Sequence, residues 1–147
     1  MRPPAYTAGV AQLVKQLFSA GVPATQITVG GYSKGGMMTL IASSQIQNPK
    51  VNFVNLAGCG VGPQFGRRFR RVAQRIGPQI QGRFFLSMYD AEDEISGSYD
   101  AAISQASHTE FREIVLKTGE GHGLFYTPQA FWIDRVAKWA QGQDVSE

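Results

Sequence analysis

The sequence predicts an α/β fold with a small, mostly parallel sheet of about four strands and helices on both faces of it. Short apolar runs rich in β-branched residues alternate with longer stretches of helical periodicity, which is typical of parallel strands joined by right-handed crossovers. A chain of 147 residues with 43% hydrophobic and 17% charged residues has the size and balance of one globular domain. No repeat or linker divides it, so we expect a single domain over residues 1–147.

The first part of the chain predicts two helices and two strands. The first helix begins near Pro3 and ends before Gly21, and we expect its apolar residues to share one face. These residues are Tyr6, Val10, Leu13, Val14, Leu17 and Phe18. A buried strand is predicted at residues 26–29, a second helix at 34–47 and a second strand at 51–56.

The second part of the chain predicts two more strands and a final helix. In order, we expect an arginine-rich helix within residues 63–82, a strand at 83–89, a short helix at 99–106, a strand at 111–117 and a glycine-rich loop at 119–123. The last helix begins after Pro128 and ends at Gly142. We expect one face of this helix to pack against the core, with the residues Trp132, Ile133, Val136, Trp139 and Ala140.

The composition excludes several classes of protein. The single cysteine, Cys59, excludes an internal disulfide and a cysteine-rich metal site. No apolar run reaches the roughly 18 residues of a membrane-spanning helix, and the N-terminal residues lack the apolar run of a signal peptide. A cytoplasmic location is therefore the default expectation. We expect no cofactor and no metal, because the acidic residues at 90–94 do not have the spacing of a calcium-binding loop.

Charge is divided unevenly along the chain. Residues 1–89 contain three Lys, seven Arg and no acidic residue, a net charge of +10, whereas residues 90–147 have a net charge of −7. Much of the positive charge comes from Arg67, Arg68, Arg70, Arg71, Arg75 and Arg83. Four interpretations are open: a solvated helix, an anionic substrate, a membrane surface or nucleic acid. The acidic half of the same domain favours the solvated helix.

A serine flanked by glycines follows the first predicted strand, in Gly31-Tyr32-Ser33-Lys34-Gly35. Between a strand and a helix this pattern is typical of a nucleophile elbow, in which small neighbours let a strained turn close and expose the hydroxyl. The amides at the start of the next helix, that of Lys34 first, favour a developing oxyanion. A phosphate-binding loop would need a different order of Gly, Lys and Ser. A purely structural glycine turn is the alternative interpretation.

A base and an acid for Ser33 are expected in later loops, because reactive groups of a parallel sheet collect at the carboxyl ends of its strands. His122, between two glycines, follows the fourth strand and is the candidate base. The other histidine, His108, lacks such glycines and fits an ordinary surface or core position better. The candidate acids follow the third strand and are Asp90, Glu92, Asp93 and Glu94.

These three loops together resemble the α/β-hydrolase superfamily. The Ser33 elbow, the loop at residues 90–95 and the glycine-flanked His122 occur in the order of that family and span nearly the whole chain. Family members commonly have G-x-x-D-x-(I/V) after the strand that bears the acid, and matching Ile95 to the last position implies Asp93 as the acid. The resemblance therefore implies an esterase- or lipase-like hydrolase that uses Ser33, Asp93 and His122.

The resemblance also implies that part of the family fold has no counterpart in this sequence. The first four strands of the family are missing, and the loop after the third of them usually supplies a second oxyanion amide. We therefore expect the Lys34 amide to be the one oxyanion donor of this chain. We also expect an open apolar edge at the first strand, residues 27–29, and a homo-oligomer formed through this edge.

Two functions follow as alternatives. The first is a serine hydrolase for a small ester or lipid, with peripheral contact to a membrane as an option. For its arginine-rich segment, a position near the mouth of the site and a plain crossover helix are both open. The second is a catalytically weak or inactive α/β-hydrolase-like interaction domain, which the missing strands favour. We expect no nucleic-acid partner, because Phe65 and Phe69 fall between the arginines at a spacing typical of core residues.

Overall fold

A computed structural model describes residues 3–58, 60, 65–104, 106 and 109–145. Cys59 and His108 lie outside the described residues, as does the side chain of Phe65. The described part of the chain contains five α-helices that alternate with four β-strands, and it confirms the predicted α/β class.

The helices and strands lie close to their predicted positions. The helices are α1 (Pro3–Ser19), α2 (Lys34–Ile46), α3 (Phe65–Ile76), α4 (Asp100–Ile103) and α5 (Ala130–Ala140). The strands are β1 (Thr28–Tyr32), β2 (Asn52–Leu56), β3 (Phe84–Asp90) and β4 (Glu110–Leu116). None of the helices within the described ranges is long and apolar enough to cross a membrane.

The four strands are parallel and lie in sequence order, β1-β2-β3-β4. Right-handed crossovers between strands in this order place α2, α3 and α4 on the same face of the sheet. All four strands also end on the same side, so the loops after β1, β3 and β4 can meet there. The predicted site residues lie in these three loops.

Two apolar clusters cover the two faces of the sheet. On one face, Phe53 of β2 and Phe85 of β3 stack with ring centroids 5.9 Å apart, beneath residues of α1 to α4. On the other face, the next residues along these strands, Val54 and Leu86, pack in a cluster with Trp139 of α5. This alternation is the period of a strand, and it confirms that helices cover both faces.

The buried face of α1 differs from the prediction. The residues that it buries most fully are Thr7, Ala11 and Val14. Three of the residues predicted to share one apolar face, Tyr6, Leu13 and Leu17, are 50%, 61% and 43% exposed. They form an outer apolar stripe on α1. Apolar residues recur at helical spacing on two sides of this helix, so the spacing alone does not show which side is covered.

Two smaller predictions are also corrected. β1 continues past residue 29 to Tyr32, because Gly30 and Gly31 pair with β2. Ile133 of α5 is 38% exposed rather than inward. Arg83 lies outside the arginine-rich helix, as predicted, and its guanidinium lies over the Phe84 ring at the start of β3, 4.5 Å from the centroid.

β1 is an edge strand of this sheet. It pairs with β2 on one side, and no other described strand lies beside it. Over residues 3–33 the sequence contains a single charged residue, Lys15. Two copies can therefore approach through α1 and β1 without strong charge repulsion.

We expect the protein to form a homodimer through the β1 edge and the outer apolar stripe of α1. Light scattering during size-exclusion chromatography should give the mass of two 16.0 kDa chains. Leu13→Glu places a charge in the stripe and should shift the mass to one chain, whereas Ile133→Glu on α5 should leave the dimer intact. A wild-type monomer at micromolar concentration contradicts this prediction.

Candidate active site

Ser33 lies between β1 and α2 in a strained backbone conformation. Its φ of 51° and ψ of −120° fall in a region that residues with a side chain rarely occupy. The amide of Ser33 donates to the carbonyl of Leu56 at 2.8 Å, so sheet pairing with β2 holds the turn in place. The turn directs Ser33 into a cavity at the carboxyl ends of the strands.

The close approach of α2 to the sheet requires glycine at three positions. A Cβ on Gly31 would lie 2.3 Å from the carbonyl oxygen of Gly35. A Cβ on Gly36 or Gly58 would lie 2.0 or 2.2 Å from Oδ1 of Asn55. The reason predicted for Gly35 itself is wrong, because a Cβ there meets nothing within 4 Å. The turn depends on the absence of a side chain at Gly31, on the strand side.

His122 reaches Ser33 from the loop after β4. Residues 119–123, predicted as a loop, contain the start of a 3₁₀ turn at Gly121–Tyr126, and Gly121 begins it with a φ of 58°. Nε2 of His122 lies 2.8 Å from Oγ of Ser33. The Tyr32 hydroxyl donates to the carbonyl of His122 at 2.6 Å, and this bond ties the turn to the end of β1.

Asp93 is the acid that contacts His122. Its Oδ2 lies 2.8 Å from Nδ1 of His122, and its side chain is fully buried. Oδ1 accepts hydrogen bonds from the amides of Ile95 and Ser96 at 2.8 and 2.9 Å, and the Ser96 hydroxyl donates to Oδ2. Burial alone would raise the pKa of Asp93, but the bonds from Ser96 and His122 outweigh it and lower the pKa. Asp93 is therefore ionised at neutral pH.

The other acids of this loop have different environments. Glu92 and Glu94 are exposed. Asp90 is fully buried, and its Oδ2 accepts from the amide and the hydroxyl of Thr118 at 2.9 and 2.6 Å. Burial would raise the pKa of Asp90, but bonds from Thr118 and the Glu92 amide lower it. Asp90 thus joins the loop of Asp93 to the loop of His122.

Two polar groups of the site were missed by sequence reasoning. Ser96 contacts Asp93 and lies 3.5 Å from Nδ1 of His122. A serine three residues after an aspartate often closes a local hydrogen-bonded turn, so this signal was present in the sequence. Sequence reasoning gave Tyr32 no role of its own. Its pKa is raised, first by burial and then by Tyr126, so its hydroxyl remains a donor.

A cavity of about 440 Å³ opens beside Ser33 and His122. Met37, Phe69 and Ile95 are among its apolar lining residues. Lys34, the first residue of α2, also lines it. The first amides of a helix have no partner within the helix, so the Lys34 amide is available beside Ser33. Within the described ranges, no group of three His, Cys, Asp or Glu side chains is placed to hold a metal ion.

A matched pair of glycine variants tests the elbow. Gly31→Ala should lower the free energy of unfolding by about 3 kcal/mol, because the new methyl group meets backbone atoms that cannot move aside. Gly35→Ala should leave it unchanged or raise it by up to about 1 kcal/mol, since alanine is the better helix former. Urea denaturation measures both. Equal changes in the free energy of unfolding for the two variants would contradict the close contact at Gly31 and the open space at Gly35.

A variant of Asp90 tests the link between the two loops. Asp90→Asn should destabilise the protein at neutral pH by about 1–3 kcal/mol, because an amide nitrogen cannot accept from Thr118. A carboxyl whose pKa is lowered by folding stabilises the protein above its ordinary pKa, and this contribution is lost as the pH falls through the folded pKa. The difference from wild type should therefore shrink between about pH 7 and about pH 3.

Urea denaturation at the two pH values gives this difference, with Asp134→Asn on the exposed side of α5 as the control. A destabilisation by Asp90→Asn that is the same at both pH values contradicts the role of the Asp90 carboxylate.

The fold and part of the sequence are similar to those of known proteins. A family model described as phospholipase/carboxylesterase matches residues 4–73, which include Ser33. No curated protein sequence matches the chain. Crystal structures of two variants of Arabidopsis thaliana SOBER1 are similar, each with a TM-score of 0.62 and 16% identity over 95% of this chain. Porphyromonas gingivalis dipeptidyl peptidase 4 has a TM-score of 0.54 and 16% identity over 84% of this chain.

The chain spans only part of each of these proteins. It covers 64% and 63% of the two SOBER1 chains and 20% of the dipeptidyl peptidase. At 16% identity the likeness concerns the fold alone. The solved structures show that the chain has an α/β-hydrolase-like fold, and residues 4–73 are similar to the phospholipase/carboxylesterase family.

Proposed function

We propose that this protein is a serine hydrolase that cleaves carboxylic esters through an acyl-enzyme on Ser33. The proposal depends most on one observation. Hydrogen-bond contacts connect the Ser33 hydroxyl through His122 to the carboxylate of Asp93. Oγ of Ser33 lies 2.8 Å from Nε2 of His122, and Nδ1 of His122 lies 2.8 Å from Oδ2 of Asp93. A serine hydroxyl is a weak nucleophile by itself, and an adjacent base oriented by an acid is what activates it.

The reaction has two halves. The Ser33 oxygen attacks the ester carbonyl carbon while Nε2 of His122 takes the hydroxyl proton. The carbonyl oxygen becomes an oxyanion, toward which the Lys34 amide donates at the positive end of α2. The bond to the alcohol then breaks, and the alcohol leaves with the proton from His122. In the second half His122 deprotonates water, which attacks the acyl-enzyme and releases the carboxylic acid and free Ser33.

Asp93 acts on His122 rather than on the substrate. A carboxylate at Nδ1 keeps the proton of the neutral ring on that nitrogen, so Nε2 is the acceptor that faces Ser33. Its negative charge also stabilises the imidazolium that forms during attack. The bonds from Ser96 and the Ile95 amide hold the carboxylate in this orientation.

The cavity supports an ester with an apolar acyl group as the substrate class. Met37, Phe69 and Ile95 provide an apolar wall next to Ser33, where an acyl chain can leave water. The match to the phospholipase/carboxylesterase family model supports the same class.

The alternative is a catalytically weak or inactive interaction domain. The chain covers 64% of SOBER1, and the family loop that usually supplies a second oxyanion amide was not identified in the sequence. Loss of one such donor typically lowers turnover by about 10²–10³-fold. The same assay separates the two functions.

Ser33→Ala tests the proposal directly. Wild-type protein should hydrolyse short- and medium-chain p-nitrophenyl esters, and Ser33→Ala should lower kcat/KM by about 10³-fold or more because the nucleophile is lost. Ser19→Ala, an exposed serine at the end of α1, is the matched control and should retain full activity.

Activity that survives Ser33→Ala would refute the assignment of the nucleophile. A folded wild-type protein that hydrolyses none of these esters would instead support the interaction domain.

A further inference from the structure

Two cationic side chains line the cavity beside Ser33, and none of the lining residues within the described ranges is acidic. The cations are Lys34 at the start of α2 and Arg68 of α3. The nearest functional acid, Asp93, lies behind His122 with its side chain fully buried and its charge directed to the ring. The part of the cavity that a substrate would enter is therefore positively charged.

The position of Arg68 is determined by the packing of α3. Its neighbour Phe69 is 4% exposed, and the Phe69 ring meets the Tyr99 ring edge-on at 5.0 Å. Ala73 and Ile76 on the same side of α3 are also buried. The inner side of the helix is thus anchored in the core, and this anchoring presents Arg68 at the rim of the cavity.

Arg68 is exposed and takes part in neither ion pair found among the described residues. The first of these contacts joins Arg112 to Asp144, and the second is the hydrogen bond between His122 and Asp93, which is an ion pair only when His122 is protonated. The guanidinium of Arg68 can therefore bind a substrate without first breaking a salt bridge, and its planar fork suits a carboxylate or a phosphate.

Other arginines of α3 add to the positive electrostatic potential near the cavity. Arg67, Arg70, Arg71 and Arg75 are all exposed on the same helix, although none of them lines the cavity. Clustered charge of one sign raises the local concentration of oppositely charged ligands. This helix therefore favours the approach of anions to the mouth of the site.

We propose that the site selects esters that bear an anionic group, a carboxylate or a phosphate, and that Arg68 binds this group while Ser33 attacks the ester carbonyl. The inference rests on the proposed function and specifies its substrate class. The anionic group takes no part in bond breaking. Its contact with Arg68 positions the ester, and the Lys34 ammonium contributes a second positive charge.

Two matched pairs of substrates test the proposal and distinguish the two anions. Butyrylglycerol phosphate is compared with butyrylglycerol, and the adipate monoester of p-nitrophenol with p-nitrophenyl hexanoate. Wild-type kcat/KM should be about tenfold higher for the anionic member of at least one pair, as expected for one charge-assisted hydrogen-bonded contact. The preference should weaken between about 0.05 M and about 0.5 M salt.

Arg68→Gln should remove the preference by lowering kcat/KM about tenfold for the anionic ester, with less than about a twofold change for its neutral partner. Arg75→Gln removes the same charge from the same helix but away from the cavity. It should change kcat/KM by less than about twofold for both the anionic ester and its neutral partner. Equal kcat/KM values within both pairs for wild type, or an equal loss on both members in Arg68→Gln, overturn the proposal.

A binding measurement separates this proposal from the proposed function. In the Ser33→Ala background, calorimetry should show about tenfold tighter binding of the preferred anionic ester than of its neutral partner, and Arg68→Gln should abolish the difference. If no ester is hydrolysed but this difference is present, the hydrolase assignment fails and the anion site stands. If esters are hydrolysed through Ser33 but no difference in binding is found, the anion site fails.

Discussion

The imidazole of His122 joins two groups that the chain places on different strands, a hydroxyl after β1 and a carboxylate after β3. Neighbouring strands are about 4.8 Å apart, so β1 and β4 are separated by about 14 Å at their ends. The loop after β4 must therefore cross the ends of β3 and β2 to bring His122 next to Ser33. His122 is the second residue of the 3₁₀ turn at Gly121–Tyr126, and the Tyr32 hydroxyl ties it to the end of β1 by donating to its carbonyl.

Contacts on two sides of the site hold His122 next to Ser33. The Asp90 carboxylate joins the loop after β3 to Thr118, so the two loops that hold Asp93 and His122 are fixed to each other. On the β1 side, the strained backbone of Ser33 costs on the order of 1–3 kcal/mol. The bond from its amide to Leu56 and the tight contact of Gly31 with α2 keep it in this conformation.

Much of the architecture could be predicted from the sequence because local patterns encode it. The strands, the elbow at Ser33 and the glycine-flanked His122 follow from periodicity and short motifs, and the family pattern ending at Ile95 distinguished Asp93 from Asp90. The structure places Asp93, not Asp90, against His122. Which carboxylate contacts the His122 ring depends on the path of the loop after β3. The sequence composition of that loop alone did not distinguish among its four acidic residues.

The predictions that were wrong concern burial that depends on distant parts of the chain. The outer side of α1 is as apolar in sequence as its inner side, and only packing against α2 shows that Leu13 faces outward. Tyr32 was missed because its partner is 90 residues away. Arg68 was one of the six arginines between residues 67 and 83, and only the position of α3 distinguishes it by placing it at the cavity.

Covalent labelling of the native protein tests the central claim, that His122 activates Ser33. A fluorophosphonate reacts with an activated serine and leaves ordinary serines unmodified. Peptide mass analysis should find one adduct, on Ser33, and His122→Ala should slow its formation by about 10³-fold or more. A folded protein that does not react, or an adduct on a different residue, would contradict the account.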